Sequence, residues 1–94
     1  MWYVYILLSE KTGNWYTGYT GDLRKRILEH NSGKNISTNK RGPWKLVYYE
    51  ACNNRKDAVA REKYLKSGMG KRFIKNRLKF FFAEPLTGWK NRAL

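Results

Sequence analysis

The sequence predicts a small α+β domain: one three-stranded antiparallel sheet, its first strand central, with helices on its faces, in the order β-β-α-β-α-α. Three observations predict it. Residues 2–8 are apolar on both alternating faces, with Tyr3, Tyr5 and Leu7 on one side and Trp2, Val4, Ile6 and Leu8 on the other. A strand apolar on both sides is normally central and covered twice. Polar, glycine-bearing intervals separate this strand from two further strand-like runs, and helical periodicity fills the intervening and following stretches.

The segment Ser9-Glu10-Lys11-Thr12-Gly13-Asn14 is a turn, so the first strand and Trp15-Tyr16-Thr17-Gly18 form a hairpin. The first helix starts near Thr20 or Asp22, either of which can cap it, and Asp22 also suits the positive end of the helix dipole. It stops at Asn31-Ser32-Gly33, where glycine supplies a left-handed cap. Residues 33–42 form a basic polar loop without periodicity, and Pro43-Trp44 leads into a third strand over 45–50. Asn53 or Asn54 opens the second helix, and Asp57, three residues after Asn54, resembles a capping box. Ala58, Glu62 and Leu65 share its buried face, and Ser67-Gly68-Met69-Gly70 ends it. A third helix is expected from about Lys71 to Phe82, with a stripe of Phe73, Ile74, Arg77, Leu78 and Phe81, stopped by Glu84-Pro85. Residues 1–94 read as a single domain with a core over about 2–82. In the tail, 83–94, Leu86 and Trp89 are candidates to dock on the body.

At 94 residues the chain can bury only about 60–65% of its unfolded surface, so the core is thin and its fifteen aromatic side chains carry much of it. The single cysteine, Cys52, excludes an intrachain disulfide. No apolar run approaches the roughly 18 residues that span a bilayer. The first eight residues are too short for the core of a signal peptide and lack a basic lead-in, so a cytoplasmic location is expected.

Twenty Lys and Arg against seven Asp and Glu give a formal charge of +13. A field of that sign on so small a body points to a polyanionic partner, with nucleic acid the first candidate and an anionic membrane surface the second. The plainer alternative is that the charge only keeps the protein soluble.

The stretch 15–30 concentrates the chemistry. Its first helix carries Arg26 and His30 at i, i+4, so both project from one face, close to Leu23 and Ile27. The side that should bury itself thus carries an arginine and the only histidine of the chain, a conflict typical of functional sites.

Tyr3-Val4-Tyr5 followed by Tyr16-Thr17-Gly18 resembles the pair of motifs that name the GIY-YIG nuclease superfamily. The resemblance continues through Arg26 and His30 to Glu62, within Arg61-Glu62-Lys63-Tyr64-Leu65-Lys66, and covers about residues 2–80. The run Arg41-Gly42-Pro43-Trp44-Lys45-Leu46-Val47-Tyr48-Tyr49-Glu50 is similar to the small stand-alone bacterial members, themselves similar to the N-terminal nuclease domain of the excinuclease. Two positions depart: Tyr3 stands at the glycine of the first motif and Thr17 at the isoleucine of the second. Tyr3 is expected to narrow the site or to be turned to another use.

The resemblance implies a metal-dependent endonuclease that hydrolyses phosphodiester bonds in DNA, of structured or damaged form, with a place in DNA repair. In that reading Tyr5 is general base or hydrogen-bond partner of the attacking water, and Tyr16 orients water or phosphate. Arg26 contacts the scissile phosphate, Glu62 holds one divalent ion, Mg²⁺ or Mn²⁺, and His30 assists proton movement or positions a neighbour. Arginine suits its part because its fork matches phosphate oxygens and stays charged. One carboxylate suits Mg²⁺, which keeps several waters and often takes one protein carboxylate plus substrate phosphate. Tyrosine is the difficult member: its ordinary pKa of about 10 is far from ideal for a base, so cations and the metal would have to lower it.

Each residue has a plainer reading. Tyr5 and Tyr16 can be cross-strand aromatics, Arg26 can snorkel, His30 can be a satisfied core histidine, and Glu62 can pair with Arg26. Lys34, Lys40, Arg41 and Lys45 around the loop, and Lys71, Arg72, Lys75 and Arg77 on the third helix, are expected to contact the phosphate backbone. Trp44 is expected in core or hinge packing, with stacking on an unpaired base as the alternative. A monomer is presumed. An RNA substrate, or a nucleic-acid-binding module with weak or no activity, are the alternative functions.

Overall fold

The first strand, β1 (Trp2–Ser9), is central: the sheet order is β2-β1-β3, with β2 (Trp15–Thr20) and β3 (Trp44–Cys52) both antiparallel to it. The computed structural model describes residues 1–35 and 38–84. The expected stop at Pro85 and the docking of Leu86 and Trp89 lie outside the described residues.

The two faces of β1 are covered as its apolar pattern requires. Tyr5 and Leu7 pack with Trp44, Tyr16 and Leu46 against Leu23 and Ile27 of α1 (Leu23–Asn31). Val4 and Ile6 pack on the other face against Ala58 and Leu65 of α2 (Arg55–Lys66) and Ile74 of α3 (Gly68–Arg77). One irregularity in β3 decides which side chains reach which face. Ile6 pairs with Tyr48 and Leu7 with Leu46, so Val47 is an extra, bulged residue. The bulge puts Leu46 on the same face as Tyr49, toward α1, while Val47 and Tyr48 pack with the other core.

Asp22 caps α1, its Oδ1 accepting the Lys25 amide at 3.1 Å, and the helix ends where Gly33 adopts φ +80°. Asn54 caps α2 by accepting the Lys56 amide at 2.8 Å. The next boundary differs from expectation. Only Ser67 separates α2 from α3: it ends one helix and caps the next, its hydroxyl accepting the Gly70 amide at 3.1 Å. Gly70 is thus inside α3, where a Cβ would strike the Tyr64 carbonyl oxygen and lie 2.5 Å from Leu65 Cα. Gly70 thus serves close helix packing, and α3 already begins at Gly68.

The expected helix 71–82 is also broken. Leu78 leaves helical geometry (φ −110°, ψ 30°), and a short α4 (Lys79–Ala83) follows. The break turns Phe82, not Phe81, onto the core, stacked on Trp15 with centroids 5.3 Å apart. Among the described residues no helix is long and apolar enough to cross a membrane.

Candidate active site

The site forms around the free edge of β2. Strand alternation brings Tyr5, Tyr16 and Gly18 to the α1 side of the sheet and Trp2 and Tyr19 to the α2 side. Side chains from both sides line a single cavity of about 620 Å³. Tyr5, Tyr16, Arg26 and Glu62 all line it, so four of the five catalytic and metal candidates meet in one concavity.

Gly18 explains how Tyr5, from the central strand, reaches an edge cavity. The two residues are opposite each other in the β1–β2 pairing. A Cβ on Gly18 would sit 2.5 Å from the Tyr5 hydroxyl oxygen and 2.7 Å from Cζ. The phenol therefore lies across the bare backbone of β2, with its hydroxyl at the sheet edge.

That hydroxyl meets His30 Nε2 at 2.8 Å. His30 is the fifth candidate and stands behind the cavity, 2% exposed, its ring 4.8 Å from that of Tyr16. Its Nδ1 is 2.8 Å from the hydroxyl of buried Thr38. Sequence periodicity shows no order in the loop after α1, yet its Thr38 completes the histidine's hydrogen bonding, and the Trp44 indole N–H donates to the Thr38 carbonyl at 3.1 Å. Trp44 is thus core: it is buried beside Tyr16 and is not available for stacking on a base.

Burial pushes the Tyr5 hydroxyl well above the ordinary tyrosine range, and neighbouring Tyr16 and Glu62 add to this; the Arg26 charge draws it the other way without prevailing. Of the cations and metal that a tyrosine base would need to lower its pKa, the structure supplies Arg26, but desolvation of the phenolate outweighs that charge. Burial also lowers His30, helped by Arg26 and opposed by Glu29, so its imidazole is neutral at physiological pH.

The suggested Arg26–Glu62 ion pair is not what forms. Arg26 Nε pairs with Glu29 at 3.1 Å, and Glu62 has Lys66 at 3.6 Å. Both partners come from the same helix turn, and such half-exposed pairs contribute only about 0.2–1 kcal/mol. The guanidinium and the carboxylate are therefore held lightly. Glu62 has a side chain only 19% exposed and faces the cavity, which fits a single-carboxylate site for a hydrated Mg²⁺ or Mn²⁺. Among the described residues no cluster of three or more His, Cys, Asp or Glu side chains forms a ready cage.

Two cations of the cavity have no counterpart in the sequence reading. Lys25 lines it beside Arg26. Arg55, the first residue of α2, lies two turns before Glu62 and so on the same helix face. Its guanidinium donates to the Tyr19 hydroxyl at 2.8 Å and lies 5.8 Å from the Trp2 ring centroid. The signal available in the sequence was that seven-residue spacing. Tyr3 does not line the cavity and so does not narrow it; it packs edge-on with Tyr49 at 6.0 Å.

None of the eight backbone-contact candidates lines the cavity either. Arg41, Lys71 and Lys75 line a groove with Asn14 and Trp15 at the hairpin end of the sheet. Lys45 lies 5.5 Å from the Phe81 ring centroid. Lys34, Lys40 and Arg72 are exposed. Arg77, though exposed, acts on the cluster in which Arg61 holds Glu50 at 2.9 Å and Tyr48 donates to the same carboxylate.

A family model described as the GIY-YIG catalytic domain matches residues 1–82. The chain is 49% identical over 65 residues to the UPF0213 protein CPE1444 of Clostridium perfringens, covering 68% of this chain and 69% of that protein. It is 41% identical over 66 residues to the UPF0213 protein SSP2268 of Staphylococcus saprophyticus, covering 69% and 79%. Its fold is similar to the solution structure of the UPF0213 protein BH0048 from Bacillus halodurans, with TM-score 0.50 and 40% identity over 81% of this chain and 84% of that one. With its motif tyrosines meeting in one cavity at the edge of a three-stranded antiparallel sheet, the chain belongs to the GIY-YIG family of nuclease domains, and within it is similar to the small bacterial UPF0213 proteins.

Proposed function

We propose that this protein is an endonuclease that hydrolyses phosphodiester bonds in DNA with one divalent ion, Mg²⁺ or Mn²⁺, held by Glu62. The observation that carries the reading is the meeting of Tyr5, Tyr16, Arg26 and Glu62 in one cavity, with the Tyr5 hydroxyl on a neutral, buried His30.

The Tyr5–His30 contact answers the difficulty of a tyrosine base. A phenol whose pKa is pushed up cannot wait as phenolate. It can pass a proton on. The Thr38 hydroxyl has the Asn35 carbonyl as acceptor at 3.5 Å, so it accepts from His30 Nδ1–H. Nε2 is then bare and accepts the Tyr5 proton. As the water oxygen bonds to phosphorus, its proton moves to the Tyr5 oxygen while the Tyr5 proton moves to His30 Nε2. Tyr5 stays neutral throughout, and the charge ends on an imidazolium. The leaving alkoxide takes a proton from solvent, and His30 returns its proton after product leaves.

Arg26 turns from Glu29 to the phosphate, where a positioned cation is worth about 3 kcal/mol as charge develops. Tyr16, beside His30 and Tyr5, orients the water. The bound ion would supply charge neutralisation at the phosphate and the leaving oxygen. The Arg41–Lys71–Lys75 groove and the other exposed cations hold the duplex backbone without choosing sequence.

Nicking of plasmid and branched DNA with Mg²⁺ or Mn²⁺ tests this. Arg26→Ala and Glu62→Ala should each lose on the order of 100-fold or more in rate, and chelation of the metal should stop cutting. Equal cutting by wild type and both variants would sink the proposal, as would tight DNA binding without cutting under either metal.

A further inference from the structure

We infer that the groove beside the cavity, between α1 and β3, receives an unpaired nucleobase of the strand being cut. This rests on the endonuclease reading and deepens it: the substrate carries an unstacked nucleotide next to the scissile phosphate, as at a gap, flap or branch.

The groove has a volume of about 450 Å³ and is lined by Tyr3, Leu23, Arg24, Ile27, Leu46 and Tyr49. It adjoins the catalytic cavity, since Gly21 and Asp22 line both. Gly21 has no side chain to bar a strand that passes from one to the other. Arg26 and Gly21 share the cavity lining, and Gly21 also lines the groove, so a strand with its phosphate at Arg26 has this route for the next nucleotide.

The lining suits a base more than a peptide or lipid. Leu23, Ile27 and Leu46 give it an apolar part, the β3 bulge turning Leu46 to the same side as Tyr49. Arg24 adds a cation at its rim for the accompanying phosphate. Tyr49 is 53% exposed and stands edge-on to Tyr3 at 63°, so two aromatic rings line the groove together. Other exposed aromatics are already occupied: Arg61 lies 5.1 Å from the Tyr64 ring centroid and Lys79 lies 5.3 Å from that of Phe80. Among the described residues no cation lies over Tyr49. An open tyrosine ring stacks on any base. Bases held in a fully paired duplex do not reach it, so the preference is for unpaired strands.

The test uses the whole chain in metal-free buffer, so that binding is read without cutting. The probes are DNA duplexes with 2-aminopurine either unpaired at a one-nucleotide gap or flap, or paired within the helix. Wild type should quench the unpaired 2-aminopurine on binding. Tyr49→Leu and Tyr3→Leu should lose that quenching, and their preference for the unpaired over the paired probe should fall about tenfold, within the range measured for base–aromatic stacking. Tyr49→Phe should keep both. Circular dichroism shows whether each variant is folded; Tyr49, being exposed, provides the variant least able to disturb the core. Unchanged quenching in folded Tyr49→Leu, or an equal loss on both probes, overturns the inference. If Arg26-dependent nicking persists in that case, only the groove reading falls. If wild type neither binds nor cuts either DNA, the endonuclease reading falls and takes this one with it.

Discussion

Replacing Gly18 with alanine isolates the one packing relation on which the site geometry depends. Gly18 lies in extended strand, so backbone strain is not at issue. By chain entropy alone alanine should stabilise a strand, by about 0.5–1 kcal/mol. The close approach reverses the sign. The new Cβ would lie 2.5 Å from the Tyr5 hydroxyl oxygen, 2.7 Å from its Cζ and 3.1 Å from Tyr16 Cε2. Tyr5 cannot swing away freely: it is fully buried, bonded to His30, and packed against the Tyr16 ring. Overpacking of this kind costs about 1–3 kcal/mol, and a broken Tyr5–His30 hydrogen bond adds about 0.5–1.5 kcal/mol. The net loss is about 2 kcal/mol, a fall in Tm of roughly 8–16 °C for a domain of this size. Gly21→Ala is the control, since its Cβ meets only the Trp2 ring, at 3.5 Å or more. Thermal denaturation of both variants, together with plasmid nicking, reads the effect. Gly18→Ala should lose stability and cutting while Gly21→Ala keeps its Tm within a few degrees. Adding Tyr5→Phe to Gly18→Ala removes the closest contact, so it should restore part of the stability but not the activity. A Gly18→Ala protein with ordinary Tm and ordinary nicking would refute the account of how Tyr5 reaches the cavity.

Other outcomes follow from the same contacts. Because the native pKa of His30 is lowered from 6.5, the unfolded chain takes up the proton first. Stability should therefore fall as pH drops below 6.5, until the native imidazole also protonates, and His30→Gln should flatten that step in a Tm-against-pH series. Nicking should decline only at the lower end of that range, where the native imidazole itself protonates, since an imidazolium cannot accept from Tyr5; a rate unchanged through the pH at which NMR shows native His30 protonating would remove His30 from the proton path. Gly70→Ala should cost about 3 kcal/mol or more, because the clash is with the backbone of Leu65, which cannot move aside; a Tm within a few degrees of wild type would contradict the close α2–α3 packing. Lys71→Ala combined with Lys75→Ala should weaken DNA binding and reduce the slope of log affinity against log salt by roughly two. An unchanged slope would mean that the hairpin-end groove holds no phosphates.

Much was determined by sequence alone. The two-sided apolar pattern of residues 2–8 made β1 central, and the motif tyrosines with Arg26, His30 and Glu62 marked the candidate site. These are local patterns or fixed spacings within one element, which a linear reading can hold. The start of α3 at Gly68 and the break at Leu78 escaped it, because Gly70 within α3 serves contact with α2 and the break serves the Phe82–Trp15 stack. Both reasons lie on other elements. Strand register alone set Tyr5 over Gly18, and the Val47 bulge sent Leu46 to the α1 side. Only the assembled fold could bring Arg55 and Glu62 around the edge of β2, turn Tyr3 away to Tyr49, and seat Thr38 behind His30. Register, edge and bulge are relations between distant segments, and they decide which of the chemically suitable side chains share one cavity.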